Sequence, residues 1–171
     1  MDIITHALIG RAISLSKKET RRSIYFAVFF SLLADLISLP LYLYIGFINN
    51  RLFWIPLNSD WDGFRDLHPF LSALYDIPHS VFFLLIVILP LVLFFKLPKI
   101  SFWAYGAHLF LDLFSHYGEW ALKPFYPLGY KFEGFTNGWS WSIQSMAILW
   151  ISIIIIIIVS KKLLSYKSKK I

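Results

Sequence analysis

Within residues 105–117, YGAHLFLDLFSHY, three polar side chains recur at one interval: His108, Asp112 and His116. Residues four apart lie on one face of a helix, so this spacing predicts a His-Asp-His row along one side of an otherwise apolar helix. Such a row is costly to bury unless something ligates or neutralises it. Imidazole nitrogen and carboxylate oxygen both ligate divalent ions, which makes the row a candidate metal site. A single histidine on an apolar face reads more simply as a hydrogen-bonded core residue, but three polar residues in register do not. The H-x3-D-x3-H spacing shares the two-histidines-on-one-helix logic of zinc hydrolases while lacking their H-E-x-x-H pattern.

Three more residues of the same chemistry stand in or beside apolar segments: His6 in residues 1–16, Asp35 near the middle of residues 23–47, and His79 after Pro78. An acid in the middle of a membrane-spanning run is expensive, and a functional role is the better explanation for it. Asp76 is placed either to cap a helix or to orient His79 from behind. His68, beside Arg65 and Asp66, reads as an exposed loop histidine, and Glu119, three residues after His116, as facing water.

Composition sets the medium in which these residues act. Of the 171 residues, 58% are hydrophobic, 19% aromatic and 15% charged, with a mean hydropathy of +0.65. A soluble domain carries about 25% charged residues. The chain therefore reads as an integral membrane protein forming a single domain over residues 1–171. It has no cysteine, which excludes disulfides and thiolate sites and leaves nitrogen and oxygen to hold any metal. The net charge of +6 is clustered beside apolar runs, so membrane topology explains it better than nucleic-acid binding.

The elements that must position the site follow from the apolar runs. Residues 1–16 predict a retained helix, because Lys17, Lys18, Arg21 and Arg22 follow its apolar part rather than precede it. It is short for an independent span and should pack on other helices. Residues 23–47 predict a spanning helix kinked at Pro40. Residues 79–97, which include Pro90, predict a second, 101–116 a third and 141–160 a fourth, whose six isoleucines at 153–158 should face lipid. The expected fold is all-α: an integral membrane helical bundle of four transmembrane helices plus an N-terminal packed helix. Two long aromatic connections, 48–78 and 117–140, join these elements, and Trp54, Trp61, Phe64 and Phe70 suit the headgroup level.

With alternating helices, Lys17, Lys18, Arg21, Arg22, Lys96, Lys99, Lys161, Lys162, Lys167, Lys169 and Lys170 share one side. The positive-inside rule makes that side cytoplasmic, together with the basic C-terminus, and puts both aromatic loops outside. Counted from the cytoplasmic edge, His6 lies roughly 15 Å up, Asp35 roughly 18 Å, and His108 and Asp112 roughly 10 and 16 Å. His79 and His116 fall at the outer ends of their helices. Six candidate ligands, His6, Asp35, His79, His108, Asp112 and His116, thus share the outer two-thirds of the bilayer. They suffice for one or two divalent ions with positions left for water and substrate. Zinc suits histidine and carboxylate best, and manganese or iron fit as well. The pocket should open to the non-cytoplasmic side, rimmed by Trp54, Trp61, Phe125 and Tyr126.

Those residues carry a resemblance. The chain resembles the YdjM-like family of inner-membrane metal-dependent hydrolases, itself distantly similar to the all-helical zinc-dependent phospholipase C. The matching stretches are M-D-I-I-T-H ending at His6, L-L-A-D ending at Asp35, P-H-S around His79, and G-A-H-L-F-L-D-L-F-S-H from Gly106 to His116. The chain departs from the family at two places. Leu33-Ala34-Asp35-Leu36-Ile37 stands where L-P-D-x-D is common, and Leu74 and Tyr75 replace the His and Arg of H-R-x-x-T-H-S. The resemblance implies a hydrolase in a bacterial or archaeal cytoplasmic membrane.

Residues and resemblance together lead to a metal-dependent hydrolase in which Asp112 and His116 are catalytic. Its expected substrate is a phosphoester or lipid-linked head group, and its partners are membrane lipids and a lipid-borne or extracytoplasmic small molecule, with no nucleic acid. The alternatives are a small transporter or proton/ion pathway using intramembrane His and Asp, and a structural membrane partner whose polar residues only bond helices together.

Overall fold

Asp2 accepts a hydrogen bond from the Thr5 amide at 2.9 Å and so starts the first helix, α1 (Ile3–Ile13). Thr20 does the same for α2 (Arg21–Ile48), accepting from the Ser23 amide at 3.1 Å. In this computed structural model, which describes residues 2–16 and 20–168, two short helices follow, α3 (Phe64–Leu67) and α4 (Pro69–Asp76). Next come α5 (Val81–Phe83), α6 (Leu89–Phe94), α7 (Ile100–Ser115) and α8 (Ile143–Ser168). Among the described residues no strand forms, and Leu122 and Phe132 make a single antiparallel bridge. Lys17, Lys18, Lys169 and Lys170, part of the expected basic side, lie outside the described residues.

Among the described residues the chain is all-helical, and two helices are long and apolar enough to cross a membrane: α2, with a mean hydropathy of 2.0, and α8, with 2.5. A third candidate is the pair formed by α4 and the helical run of residues 81–94, bent by 54°. The 16 residues of α7 reach about 24 Å, which falls short of a bilayer's ~30 Å hydrocarbon core.

The two prolines behave differently. Pro40 lies inside α2, whose helix is continuous from Arg21 to Ile48. Pro90 perturbs its own helix more. Between α5 and α6 the chain passes through a π turn, Leu84–Ile88, in which the Leu89 amide reaches back to the Leu84 carbonyl. A proline ring crowds the carbonyl four residues earlier and brings no N–H of its own, and widening the preceding turn relieves that conflict.

α2 is the central helix, with α1 and α7 packed on it. A Cβ on Gly10 would lie 2.3 Å from Ser31 Oγ and 2.8 Å from the Ala27 carbonyl, so α1 touches α2 backbone to backbone, as small residues permit. Ser31 Oγ then donates to the His6 carbonyl at 2.8 Å. α8 is tied to α1 through the Trp150 indole, which donates to Asp2 and to Thr5 at 3.1 and 3.0 Å. Ile153 is buried while Ile154, Ile155, Ile156 and Ile158 stay exposed. The isoleucine run is therefore mostly exposed apolar surface with one buried member.

Two apolar clusters bracket the middle of α2. One, built on Ala27, Phe30, Ala34, Ile88, Val92 and Ala104, fills the end nearest Arg21 and Lys99. The other, built on Leu41, Ile45, Trp61, Tyr75, Trp120 and Leu122, lies beneath the two long connections. The second corrects an expectation about the aromatics. Trp54 and Phe70 are exposed, but Trp61 and Phe64 are buried, the Trp61 ring lying 4.0 Å from that of Trp120. The connections fold back over the bundle end, where large rings bury more area against one another than they would at a headgroup layer.

Candidate metal centre

Four segments meet between those clusters. α1 supplies His6, α2 supplies Asp35, the turn between α4 and α5 supplies His79, and α7 supplies His108 and Asp112. His116 is the residue after α7, with φ −119° and ψ 125°, so the expected row of three on one helix face ends at Asp112. Extended backbone there turns the imidazole back, and its Nδ1 lies 3.4 Å from Asp112 Oδ1. All six candidate ligands are brought together.

Asp112 stands at the centre. Its Oδ1 faces His6 Nε2 at 3.0 Å and His116 Nδ1 at 3.4 Å, while its Oδ2 faces His108 Nε2 at 3.2 Å and His79 Nε2 at 3.8 Å. Asp35 approaches the same rings from α2: Oδ1 is 3.6 Å from His79 Nε2 and 4.0 Å from His108 Nε2, and Oδ2 is 3.9 Å from His6 Nε2. One ligand atom from each of Asp35, His79, His108 and Asp112 lies within 4.8 Å of the other three. The His6 ring stacks on that of His108 at 3.8 Å. His6, His108 and Asp112 have no exposed surface, His79 and His116 have 2%, and Asp35 has 8%.

The histidines are oriented from behind. His108 Nδ1 pairs with the Ser31 carbonyl at 2.7 Å, His79 Nδ1 with the Tyr75 carbonyl at 2.8 Å, and His116 Nδ1 with the Asp112 carbonyl at 3.0 Å. A carbonyl only accepts, so Nδ1 carries the proton and a neutral ring presents its lone pair at Nε2. This arrangement is the outer support characteristic of metal-ligating histidine. It also creates a conflict that a cation resolves. His108 Nε2 and His79 Nε2 lie 3.3 Å apart, and both face carboxylate oxygens. Lone pairs converging in a buried space repel unless a proton or a positive ion sits among them. Among the described residues His6 Nδ1 and Asp35 Oδ2 are buried without a hydrogen-bond partner. The donor set, imidazole and carboxylate with no thiolate, could therefore hold a metal ion.

Sequence reasoning missed the supports. Ser31 lies one turn before Asp35 on α2, but it supports His108 through its backbone carbonyl, for which the sequence carries no signal. Tyr75 contributes its carbonyl to His79 and stacks its ring on that imidazole at 4.3 Å. Asp76 does not orient His79. Its two oxygens are taken by Arg65 at 2.7 Å and Lys123 at 3.0 Å, and Arg65 also donates to the Ala121 carbonyl at 2.8 Å. This buried ion pair fastens the 117–140 connection to α4. His68 is exposed, and Glu119 is half-buried outside the cluster.

A cavity of about 280 Å³ runs along α2 from Asp35 towards the aromatic connections. Of the six candidate ligands Asp35 alone lines it. Of the expected rim aromatics, Trp54 lines this cavity, and Tyr126 borders a separate depression with Phe82 and Ile86. Fold and site together define an all-helical protein with two candidate membrane spans and a buried His/Asp cluster able to bind a metal ion. No protein-family model, curated protein or solved structure matches the chain.

Proposed function

We propose that the chain is a membrane-embedded metal-dependent hydrolase acting on a phosphoester or lipid-linked head group, the activity implied by its resemblance to the YdjM-like family. The observation that carries this reading is Asp112, buried with two histidines facing each of its oxygens. Asp35, His79, His108 and Asp112 are the residues that would hold one ion. His6 Nε2 and Asp112 Oδ1, 3.0 Å apart, are placed for a second, while His116, its Nδ1 tied to the Asp112 carbonyl, is left for proton transfer. When bound, a divalent ion supplies Lewis-acid stabilisation of developing negative charge and lowers the pKa of water.

The chain's own residues do the rest. The carbonyls of Ser31, Tyr75 and Asp112 fix the three imidazoles, which preserves the geometry through turnover. Apolar packing at both ends of the site excludes bulk water and strengthens every charge interaction inside it. Asp112 and His116 form the carboxylate–imidazole pair on which proton transfer is placed, His116 being the histidine held outside helical register. In this reading residues 81–94 and α7 enter the bilayer beside α2 and α8. That makes four spans with α1 packed among them and the basic C-terminal segment in the cytoplasm.

A proton or ion pathway would need polar groups continuing to both membrane faces. Towards the Arg21 end the cluster is backed by Ala27, Phe30, Ala34, Ile88 and Val92, which favours an enclosed reaction site over a relay. The test is metal analysis of purified protein together with hydrolysis of a phosphoester panel, with and without chelator. One or two tightly held ions and chelator-sensitive turnover are expected. A metal-free protein inert towards the whole panel overturns the reading.

A further inference from the structure

The cavity beside Asp35 has a character that the hydrolase reading does not require. Its walls are Leu39, Tyr42 and Leu43 from α2, Trp54 and Ile55 from the following turn, and Trp120 from the other connection. At about 280 Å³ it is near the lower bound for pockets that enclose small organic ligands. Such a cavity offers a phosphorylated, water-soluble molecule almost nothing to bond with on its way to the carboxylates. An apolar chain loses nothing there.

The wall is purpose-built on the side facing away from the basic clusters. Phe53 and Trp54 hold φ at 55° and 57°, and Asn50 at 51°, three non-glycine residues in the left-handed region within one short turn. Strain of that kind persists where surrounding structure enforces it and clusters at ligand clamps. Gly46 leaves room for the turn to press on α2, since a Cβ at that position would lie 2.0 Å from the Trp54 carbonyl oxygen. The turn is clamped a second time where Arg51 Nε donates to Asp60 at 2.8 Å. A loop serving only as a connection has no need to be pressed against a spanning helix at this cost.

We infer that this cavity is the chain subsite of the enzyme: it receives the apolar chain of an amphiphilic phosphoester, with Asp35 at the end where the chain meets the scissile head group. The inference rests on the hydrolase reading and adds the substrate class, a single-chain lipid phosphate drawn in sideways along α2, together with Leu39, Leu43 and Trp54 as the residues that set its specificity. Acyl and isoprenyl chains share the required chemistry. Leu39 and Trp54, 40% and 53% exposed, leave the cavity open to lipid.

The experiment places the full-length protein in phosphatidylcholine vesicles with a long-chain alkylphosphonate carrying a diazirine on its chain. After photolysis, labelled residues are mapped by mass spectrometry. Labelling at Leu39, Leu43 and Ile55 should be saturable and fall at least tenfold with excess unlabelled ligand. Labelling at Ile86 and Ile155, which are exposed on other apolar surfaces, should not fall. Competition by a linear alkyl phosphate but not an isoprenyl phosphate assigns an acyl-type chain, and the reverse assigns an isoprenoid. Leu43→Trp, which fills the cavity, should cut cavity labelling at least tenfold, whereas Ile86→Trp should leave it unchanged. Non-saturable labelling at all positions, or equal labelling in Leu43→Trp, overturns the inference. Metal content and hydrolysis of a short water-soluble phosphoester, measured on the same preparation, separate the two readings. If these persist while saturable labelling is absent, the chain subsite fails and the hydrolase stands. If they are absent while saturable labelling persists, the cavity is a lipid site in a protein that is not a hydrolase.

Discussion

His6 Nε2 lies 3.0 Å from Asp112 Oδ1, so the first helix of the chain brings its imidazole against the central carboxylate while stacking it on the His108 ring. The contact depends on α1 lying against α2 at Gly10, which sets the depth of His6 within the bundle.

Asp112→Ala should reduce the metal content of purified protein at least tenfold, because both carboxylate oxygens face the cluster and even outer-shell changes cost 10–100-fold in affinity. His68→Ala, in an exposed loop, should retain its metal. Elemental analysis of the two variants decides this, and equal contents would remove Asp112 from the site.

His6 and Asp112 should be energetically coupled. Alanine changes at each and at both, followed by thermal unfolding in detergent, form a double-mutant cycle. Residues in one network couple by about 0.5–3 kcal/mol, and the coupling should shrink when chelator is added. Strictly additive losses would mean that the two residues do not share a site.

Gly46→Ala should displace the turn that walls the cavity, because the new methyl group would meet Trp54 backbone rather than a yielding side chain. Overpacking of this kind costs about 1–3 kcal/mol. Faster proteolysis within residues 50–60 and a lower Tm are expected. Gly106→Ala is the control, since its nearest neighbour would be Leu84 Cδ2 at 3.7 Å, and its Tm should hold within about 2 °C.

Acid should loosen the same turn. Asp60 is held below the usual carboxylate range, first by its hydrogen bond from Arg51 and also by one from the Leu57 amide. A carboxyl depressed on folding contributes stability that is present above its unfolded value of about 4 and lost as pH falls through the folded one. Hydrogen exchange across residues 51–60 should therefore accelerate below about pH 4. In Arg51→Gln the onset should move to higher pH, and an unshifted onset would remove Arg51 as the cause.

The absence of cysteine allows a direct test of orientation. Single cysteines at Ser59 and at Ser165, in separate variants, are exposed to a membrane-impermeant thiol reagent on intact cells. Ser59→Cys should label and Ser165→Cys should not. The opposite result inverts the topology and removes an extracytoplasmic substrate.

Much of the candidate His/Asp cluster was legible in the sequence because it depends on residue type and local spacing. A chain with no cysteine must hold a metal through nitrogen and oxygen. The four-residue interval puts His108 and Asp112 on one face of α7, and counting helical rise from the basic flanks brings His6 and Asp35 to similar depth. What tertiary structure decided depends on how chain ends and connections fold, which no periodicity records. His116 enters the cluster from extended backbone beyond α7, although helical spacing places it there by another route. The carbonyls of Ser31 and Tyr75 orient His108 and His79, and a backbone carbonyl has no sequence signature. Trp61 is buried against Trp120, because an aromatic-rich connection can satisfy its rings at a lipid headgroup layer or against itself, and only the packed end of the bundle selects between the two.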